Sequence, residues 1–270
     1  MPNKEKPRVL LADVDGTLVT PEKQLTENAL AAARELQAAG ITLALTSGRP
    51  PRGMAMLVAP LALTGPIAGF NGGVFVNPDL SVIESHLLDP KVAGEALDLI
   101  LESGLDAWVY TEDEWLIRNK EAPHVAREAW TVKFESKIVP HFTEEHLSRV
   151  VKIVGISDDH DLVARTETAA QKSLGDRASA ARSQPYYLDV TNPQANKGEV
   201  VRWLARTMRI DPKQIATIGD MPNDVLMFKA GGLSIAMGNA SKEVQGGADA
   251  VTDTNEADGF AKAVRRFLLA

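Results

Sequence analysis

Short apolar runs, each followed by a polar turn and then a helix-length stretch, set the rhythm at both ends of this chain. Residues 9–12, Val-Leu-Leu-Ala, read as a buried strand. Residues 26–39, rich in Ala, Leu and Glu, predict a helix with Thr26 as its N-cap and Gly40 as its stop. A second strand is expected over 41–45, ending at Thr46-Ser47-Gly48-Arg49-Pro50, and a third over 66–70, ending at Asn71-Gly72-Gly73. The same grammar returns near the C-terminus. There the pattern predicts a helix over 198–208, a strand over 215–218 ending in Gly219-Asp220, and a helix over 225–229. A further strand over 233–236 ends in Met237-Gly238-Asn239-Ala240, and a helix over about 259–268 closes the chain. Strand, helix, strand with short links is the βαβ pattern of a parallel sheet in an α/β fold.

Between these halves, from about residue 84 to 187, the texture changes to aromatic and charged segments. Trp108-Val-Tyr-Thr-Glu-Asp-Glu-Trp-Leu-Ile-Arg118 reads as a hairpin with Glu112-Asp113-Glu114 at the turn. All five histidines, His86, His124, His141, His146 and His160, fall in this stretch. We read residues 85–187 as an inserted α+β cap, a usual size for a domain. The flanking segments 1–84 and 188–270 then form one discontinuous core.

The polar residues of interest all follow strands. Asp13 and Asp15 stand at i and i+2 after the first, so an extended chain points both carboxylates the same way. Thr46-Ser47, Asn71 and Asp220 follow the others, and in open parallel sheets ligands bind outside the carboxyl ends of the strands. A pair of acids at a strand end suits a reaction with one attacking carboxylate and one proton donor, as in an aspartate-nucleophile phosphotransferase.

Bulk properties narrow the field. The chain has 270 residues, 44% hydrophobic and 24% charged, which fits one large or two smaller globular domains. Acids outnumber Lys and Arg by 36 to 29, giving a net charge of −7, which argues against nucleic acid as the main partner. The absence of cysteine excludes disulfides, thiolate catalysis and Cys-based zinc sites. No leader is read from Met1-Pro2-Asn3-Lys4-Glu5-Lys6, and no apolar run approaches a membrane span of about 20 residues. A cytoplasmic protein with no membrane partner is expected. Charge counting adds a cation. Should Asp13, Asp15, Asp220 and Asp224 converge on a phosphate with only Lys197 opposing them, the site needs a divalent ion, and all-oxygen ligands favour Mg²⁺.

Asp13-Val-Asp-Gly-Thr-Leu18, Leu45-Thr-Ser-Gly-Arg49, Lys197 and Gly219-Asp-Met-Pro-Asn-Asp224 resemble the four ordered motifs of the haloacid dehalogenase superfamily. Phe70-Asn-Gly-Gly73, Leu188-Asp-Val-Thr191 before Asn196-Lys-Gly198, and Ala236-Met-Gly-Asn-Ala240 resemble its Cof-type branch, subclass IIB. So does the position of the insert. The resemblance covers nearly the whole chain and implies a Rossmann-like core that hydrolyses small phosphate monoesters, such as sugar phosphates. It implies Asp13 as nucleophile, Asp15 as general acid and base, and Lys197 as charge stabiliser. Thr46 through its hydroxyl, Ser47 through its backbone amide, and Gly48 beside them would hold phosphoryl oxygens, with Asn71 and Asn223 assisting. Mg²⁺ would be held by Asp13, the Asp15 main-chain carbonyl and Asp220, with Asp224 ligating through water or orienting Lys197. A phosphomutase sharing the aspartyl-phosphate, or a non-catalytic phospho-ligand-binding protein, are the rival readings, and the protein is expected as monomer or homodimer.

Plainer readings stand beside these. Asp-Gly and Asn-Gly are ordinary turn signals, so Asn71 is either a site residue or turn punctuation. Arg49 is read as a surface ion pair rather than a substrate contact. The histidines are read as solvated cap residues, since no pair has the i, i+4 spacing of a helical metal site. Trp108, Tyr110 and Trp115 are read as hairpin packing, with a sugar platform as the alternative.

Overall fold

Two sheets organise the chain, and their strands are interleaved in sequence. The computed structural model describes residues 6–270, so residues 1–5, on which the absence of a leader was read, lie outside it. The strands are β1 (Val9–Asp13), β2 (Thr42–Thr46), β3 (Ile67–Gly69), β4 (Val74–Val76), β5 (Val82–Ser85), β6 (Asp106–Tyr110) and β7 (Trp115–Ile117). They continue with β8 (Lys137–Ile138), β9 (Lys152–Ile156), β10 (Ser179–Gln184), β11 (Tyr187–Thr191), β12 (Ile215–Gly219), β13 (Ser234–Ala236) and β14 (Ala250–Val251). An eight-stranded sheet runs β14-β13-β12-β1-β2-β3-β4-β5, and a six-stranded sheet runs β10-β11-β9-β6-β7-β8.

From β14 to β3 the larger sheet is parallel, and antiparallel pairing occurs only at its edge, where β4 runs back between β3 and β5. Its central strand shows why the early apolar runs are continuous rather than alternating. Leu10 and Ala12 enter one packed layer, with the Glu27–Ala38 helix and the C-terminal segment, while Val9 and Leu11 enter the other, with the Lys197–Met208 and Val225–Ala230 helices. A strand covered on both faces must be apolar at every position. The fold is therefore the α/β, Rossmann-like arrangement, with the topological switch at β1, between β12 and β2.

Local signals explain the boundaries. The Thr26 side chain caps its helix through the Ala29 amide, and Gly40 follows with a φ of 75°. Asn196 accepts from the Glu199 amide and so starts the Lys197–Met208 helix at Lys197 itself.

The six-stranded sheet packs its outer face against the Pro90–Glu102 and His160–Leu174 helices, with Ala107, Val109, Leu116, Ile153, Leu188 and Val190 in that layer. Its other face, carrying Trp108, Tyr110, Trp115, Ile117 and Val154, turns to the larger sheet and joins the same apolar cluster as Met54 and Phe70. The hairpin read from the aromatic segment is present, with Tyr110 opposite Trp115. One boundary moves. A return to the core at residue 188 was expected, but β11 pairs antiparallel with both β9 and β10, Leu188 opposite Gly155 and Val190 opposite Ile153. Alternation explains it: Leu188 and Val190 fill the smaller sheet's outer layer, so the strand belongs there and the chain re-enters the larger sheet's layers only with Lys197. Among the described residues no helix is long and apolar enough to cross a membrane.

Candidate active site

The carboxyl ends of β1, β2, β3 and β12 deliver polar side chains to one edge of the larger sheet. Lys197, at the first turn of its helix, reaches across to that edge and is only 2% exposed. Its Nζ lies 2.6 Å from Asp13 Oδ1 and 2.6 Å from Asp224 Oδ1. Asp224 is fully buried, and its Oδ2 accepts from the backbone amides of Asp220 at 2.9 Å and Met221 at 2.8 Å. Both Asp224 oxygens are thus committed to holding Lys197 and the turn after β12.

Asp13, Asp220 and Asp224 form a buried group in which one carboxylate oxygen from each lies within 4.8 Å of the other two. Asp220 approaches the loop after β1 because Gly16, at φ 82°, has no side chain; a Cβ there would collide with the Asp220 carboxylate. Thr17 Oγ1 donates to Asp220 Oδ1 at 3.0 Å, and Asn239 Nδ2 donates to the Gly16 carbonyl at 2.9 Å and to Asp220 Oδ2 at 3.3 Å. Burial raises the proton affinity of Asp13 well above the usual carboxylate value; Lys197 opposes this, and Asp224 and Asp220 add to it. Burial and the Asp224 charge push Asp220 up to about 6. Burial works against the charge on Lys197, yet the two carboxylates overcome it and hold the ammonium well above its ordinary range.

Three carboxylates against one ammonium leave a net −2. An all-oxygen set of this kind fits a hard divalent cation. Beside this set Asp13 Oδ2 stays buried and without a partner among the described residues, while Oδ1 is held by Lys197.

Asp15 lies elsewhere electrically. Its side chain does not join the acidic trio; Arg49 Nε donates to Oδ2 at 2.7 Å and Arg49 Nη2 to Oδ1 at 2.6 Å. Lys23 Nζ donates to Oδ1 at 2.6 Å. Burial would raise Asp15, but the Arg49 fork and Lys23 more than offset it and hold the carboxyl below its usual range. The expected convergence of four carboxylates is therefore three, with the fourth already neutralised. Arg49 is corrected as well. At 4% exposure it is no surface ion pair, because the loop after β2 folds its guanidinium inward onto Asp15 and the Gly53 carbonyl, 3.1 Å away.

Thr46 is fully buried, and its Oγ1 has no partner among the described residues. The Ser47 amide, expected to face a phosphoryl oxygen, instead donates to the Ala68 carbonyl at 3.1 Å, because the β2–β3 ladder runs one residue past Thr46. Ser47 Oγ accepts from the Arg49 amide at 3.2 Å. Gly48 faces the Asn71 amide group. Asn71 sits in the left-handed region at φ 58°, donates its backbone N–H to the Ser47 carbonyl at 2.7 Å, and accepts from Asn223 Nδ2 at 3.2 Å. The loops after β2, β3 and β12 are thereby tied together.

Thr17, Lys23 and Asn239 were not singled out from the sequence. Thr17 and Asn239 lie inside stretches quoted for their pattern, but Lys23 carried no signal. The histidines stay out of this site: His146 caps a short helix with Thr143, and His124 pairs with Asp158 and stacks on Tyr186.

The chain is similar to known proteins over nearly its whole length. The family model described as haloacid dehalogenase-like hydrolase matches residues 10–264. This chain belongs to that family. It is 26% identical over 262 residues to the 5-amino-6-(5-phospho-D-ribitylamino)uracil phosphatase of Bacillus subtilis, covering 97% of this chain and 96% of that protein. A haloacid dehalogenase-like hydrolase from Bacteroides thetaiotaomicron superposes with a TM-score of 0.89 at 28% identity, covering 97% and 99% of the two chains. A sugar phosphatase of subclass IIB shares the fold, with a TM-score of 0.81 at 20% identity over 97% of this chain and all of that one. The haloacid dehalogenase-like chain described here is a phosphatase, and its buried Asp13, Asp220 and Asp224 form a group that could hold a metal ion.

Proposed function

We propose that this protein is a Mg²⁺-dependent phosphatase that hydrolyses small phosphate monoesters, sugar phosphates or related metabolites, through an aspartyl-phosphate on Asp13. The observation that carries the reading is the pair of unpartnered buried oxygens, Asp13 Oδ2 and Thr46 Oγ1, on residues opposite each other in the β1–β2 ladder, with Lys197 bonded to Asp13. One is an attacking atom and the other a donor for a phosphoryl oxygen. Asp13 Oδ2 attacks phosphorus, the bond from phosphorus to the ester oxygen breaks, and Asp15 gives that oxygen a proton. Asp15 then takes a proton from water, whose oxygen attacks phosphorus as the bond to Asp13 breaks, releasing phosphate. Lys197 holds the nucleophile in place and offsets charge on the transferring group.

Bound Mg²⁺, held by Asp13, Asp220 and the Asp15 carbonyl, would neutralise the remaining negative charge. Asp224 acts by orienting Lys197, since both its oxygens are occupied. Gly48, Asn71 and Asn223 form the rim that positions the phosphoryl group, with Ser47 shaping the loop rather than donating its amide. The Arg49 and Lys23 contacts oppose the protonated form of Asp15, so the charge of the arriving phosphoryl group is what raises its proton affinity. The six-stranded unit, residues 85 to about 191, acts as the cap that covers the site and excludes water from the first half-reaction. The protein works in the cytoplasm on small molecules, as monomer or homodimer.

The test is phosphate release from a panel of sugar and nucleotide phosphates, with Mg²⁺ or EDTA, by the natural protein and by Asp13→Asn. Mg²⁺-dependent release lost in the variant is expected. Binding without release by the natural protein would instead favour a phospho-ligand sensor, and transfer dependent on a bisphosphate would favour a mutase.

A further inference from the structure

The face of the six-stranded sheet turned toward the site carries polar groups that the steps above do not use. Residues in register on neighbouring strands share a face. Tyr110 pairs with Lys152, and in the next row Trp108 and Asp189 both pair with Val154. Lys152 Nζ lies 3.2 Å from Asp189 Oδ2, both side chains being largely buried. The same ammonium sits 5.4 Å from the Tyr110 ring centroid and 5.8 Å from that of Phe70. Phe70 precedes Asn71, and its amide donates to the Arg49 carbonyl at 2.9 Å, so this face looks onto the loops that carry the proposed chemistry.

The Val125–Val132 helix lies over the same face and adds Glu128, whose Oε1 accepts from the Tyr110 hydroxyl at 2.7 Å. Burial raises the proton affinity of Glu128; Lys152 and the Tyr110 hydrogen bond oppose it, and Arg49 is close enough to contribute in the same sense.

Four polar atoms on this face are buried without partners among the described residues: Asp189 Oδ1, the Tyr187 hydroxyl and the indole N–H groups of Trp108 and Trp115. They are contiguous, since the Trp108 ring is 5.3 Å from Tyr187 and 5.2 Å from Trp115. Leaving such groups unsatisfied is costly, and a matching ligand removes that cost. The ligand must donate to a carboxylate and accept from N–H. A hydroxyl does both, whereas a phosphate dianion only accepts and an ammonium only donates. Two carboxylates against one ammonium also make the face repel a second anion.

Resting on the phosphatase reading above, we propose that Asp189, Glu128 and Lys152 are specificity-determining groups that select an uncharged, hydroxyl-bearing leaving group and reject one with a second anionic group. The ester accepted is then the monophosphate of a polyol, and the released alcohol is neutral. A sugar bisphosphate is disfavoured, which also separates this enzyme from a mutase cycle, where a bisphosphate must bind.

The test is equilibrium binding of glucose 6-phosphate and glucose 1,6-bisphosphate, by calorimetry with Mg²⁺, to the Asp13→Asn protein. The monophosphate is expected to bind at least about tenfold tighter. Adding Asp189→Asn or Glu128→Gln is expected to shrink that ratio by about threefold to tenfold. Equal or tighter binding of the bisphosphate, or an unchanged ratio in the variants, would overturn the proposal. Should Asp189→Asn fail to fold, Glu128→Gln reads the same ratio with no change of volume. Phosphate release from p-nitrophenyl phosphate by the natural protein is scored separately. A protein that hydrolyses without discriminating overturns this inference alone, and one that discriminates without hydrolysing overturns the catalytic reading alone.

Discussion

Asp13 and Asp15 are two residues apart on one strand end, yet they sit in electrically opposite surroundings. Around Asp13, three buried carboxylates face one ammonium, and burial with mutual repulsion raises the proton affinities of Asp13 and Asp220. Around Asp15, one carboxylate faces Arg49 and Lys23, and the acid is held ionised. In the metal-free protein this is the reverse of what the proposed roles need, a charged nucleophile and a protonated donor. The contrast teaches that the resting arrangement is built for its ligands. On the proposed function, a cation held by Asp13 and Asp220 would favour their ionised forms, and a phosphoryl dianion would lift Asp15. Full competence would then come only with both bound.

The comparison can be broken most completely at Asp13. Replacement by Asn is expected to lower phosphate release on the order of 10⁴-fold or more, measured by steady-state kinetics at saturating Mg²⁺. Next is the strut of the negative half. Asp224→Ala leaves the Asp220 and Met221 amides and one side of Lys197 without an acceptor, and is expected to cost about 3–5 kcal/mol in urea unfolding. On the positive half, Arg49→Met removes both fork contacts to Asp15. It is expected to lower kcat by about 10²-fold, with Asp15 titrating at higher pH in the rate profile. Lys23 is partly exposed, and Lys23→Met is expected to change kcat by only a few-fold, within about 1 kcal/mol.

The two halves also differ in how pH acts on them. Asp220 binds its proton up to about 6 in the folded, metal-free protein, above the value of 3.8 for a free side chain. The folded state thus holds more protons than the unfolded one between these values, and metal-free stability falls as pH rises through about 6. A cation competes with that proton. The Mg²⁺-induced rise in melting temperature is therefore expected to be small at about pH 5 and larger at about pH 7.5. A rise independent of pH would show that the trio is not where the ion binds.

Legibility in the sequence followed the same division. The parallel sheet was readable because buried strands need unbroken apolar runs, and the strand ends followed from them. Asp13 and Asp220 could be placed on one edge by that logic, whereas the roles of Lys197 and Asp224 came from the resemblance to a family. Arg49 could not, because nothing in Thr46-Ser47-Gly48-Arg49 tells which way a loop side chain folds. The Ser47 amide was misassigned because its fate depends on how far the β2–β3 ladder extends. Residues 188–191 were given to the wrong sheet, since an alternating strand looks the same whichever partner it finds. Lys152 and Glu128 left no local signal, and Asp189 lay in a stretch quoted for its pattern without being singled out. They meet only through the register of β6, β9 and β11 and the helix laid across them.

The most direct test of the division between Asp13 and Asp15 is to trap the covalent intermediate. Asp15→Asn would be mixed with Mg²⁺ and radiolabelled p-nitrophenyl phosphate, whose leaving group departs without a proton, then quenched in acid and mapped by peptide mass. The account predicts near-stoichiometric phosphate on Asp13, because the first step proceeds and the water-activating base is missing. Absence of covalent phosphate under conditions where the natural protein turns over, or phosphate on another residue, would contradict it.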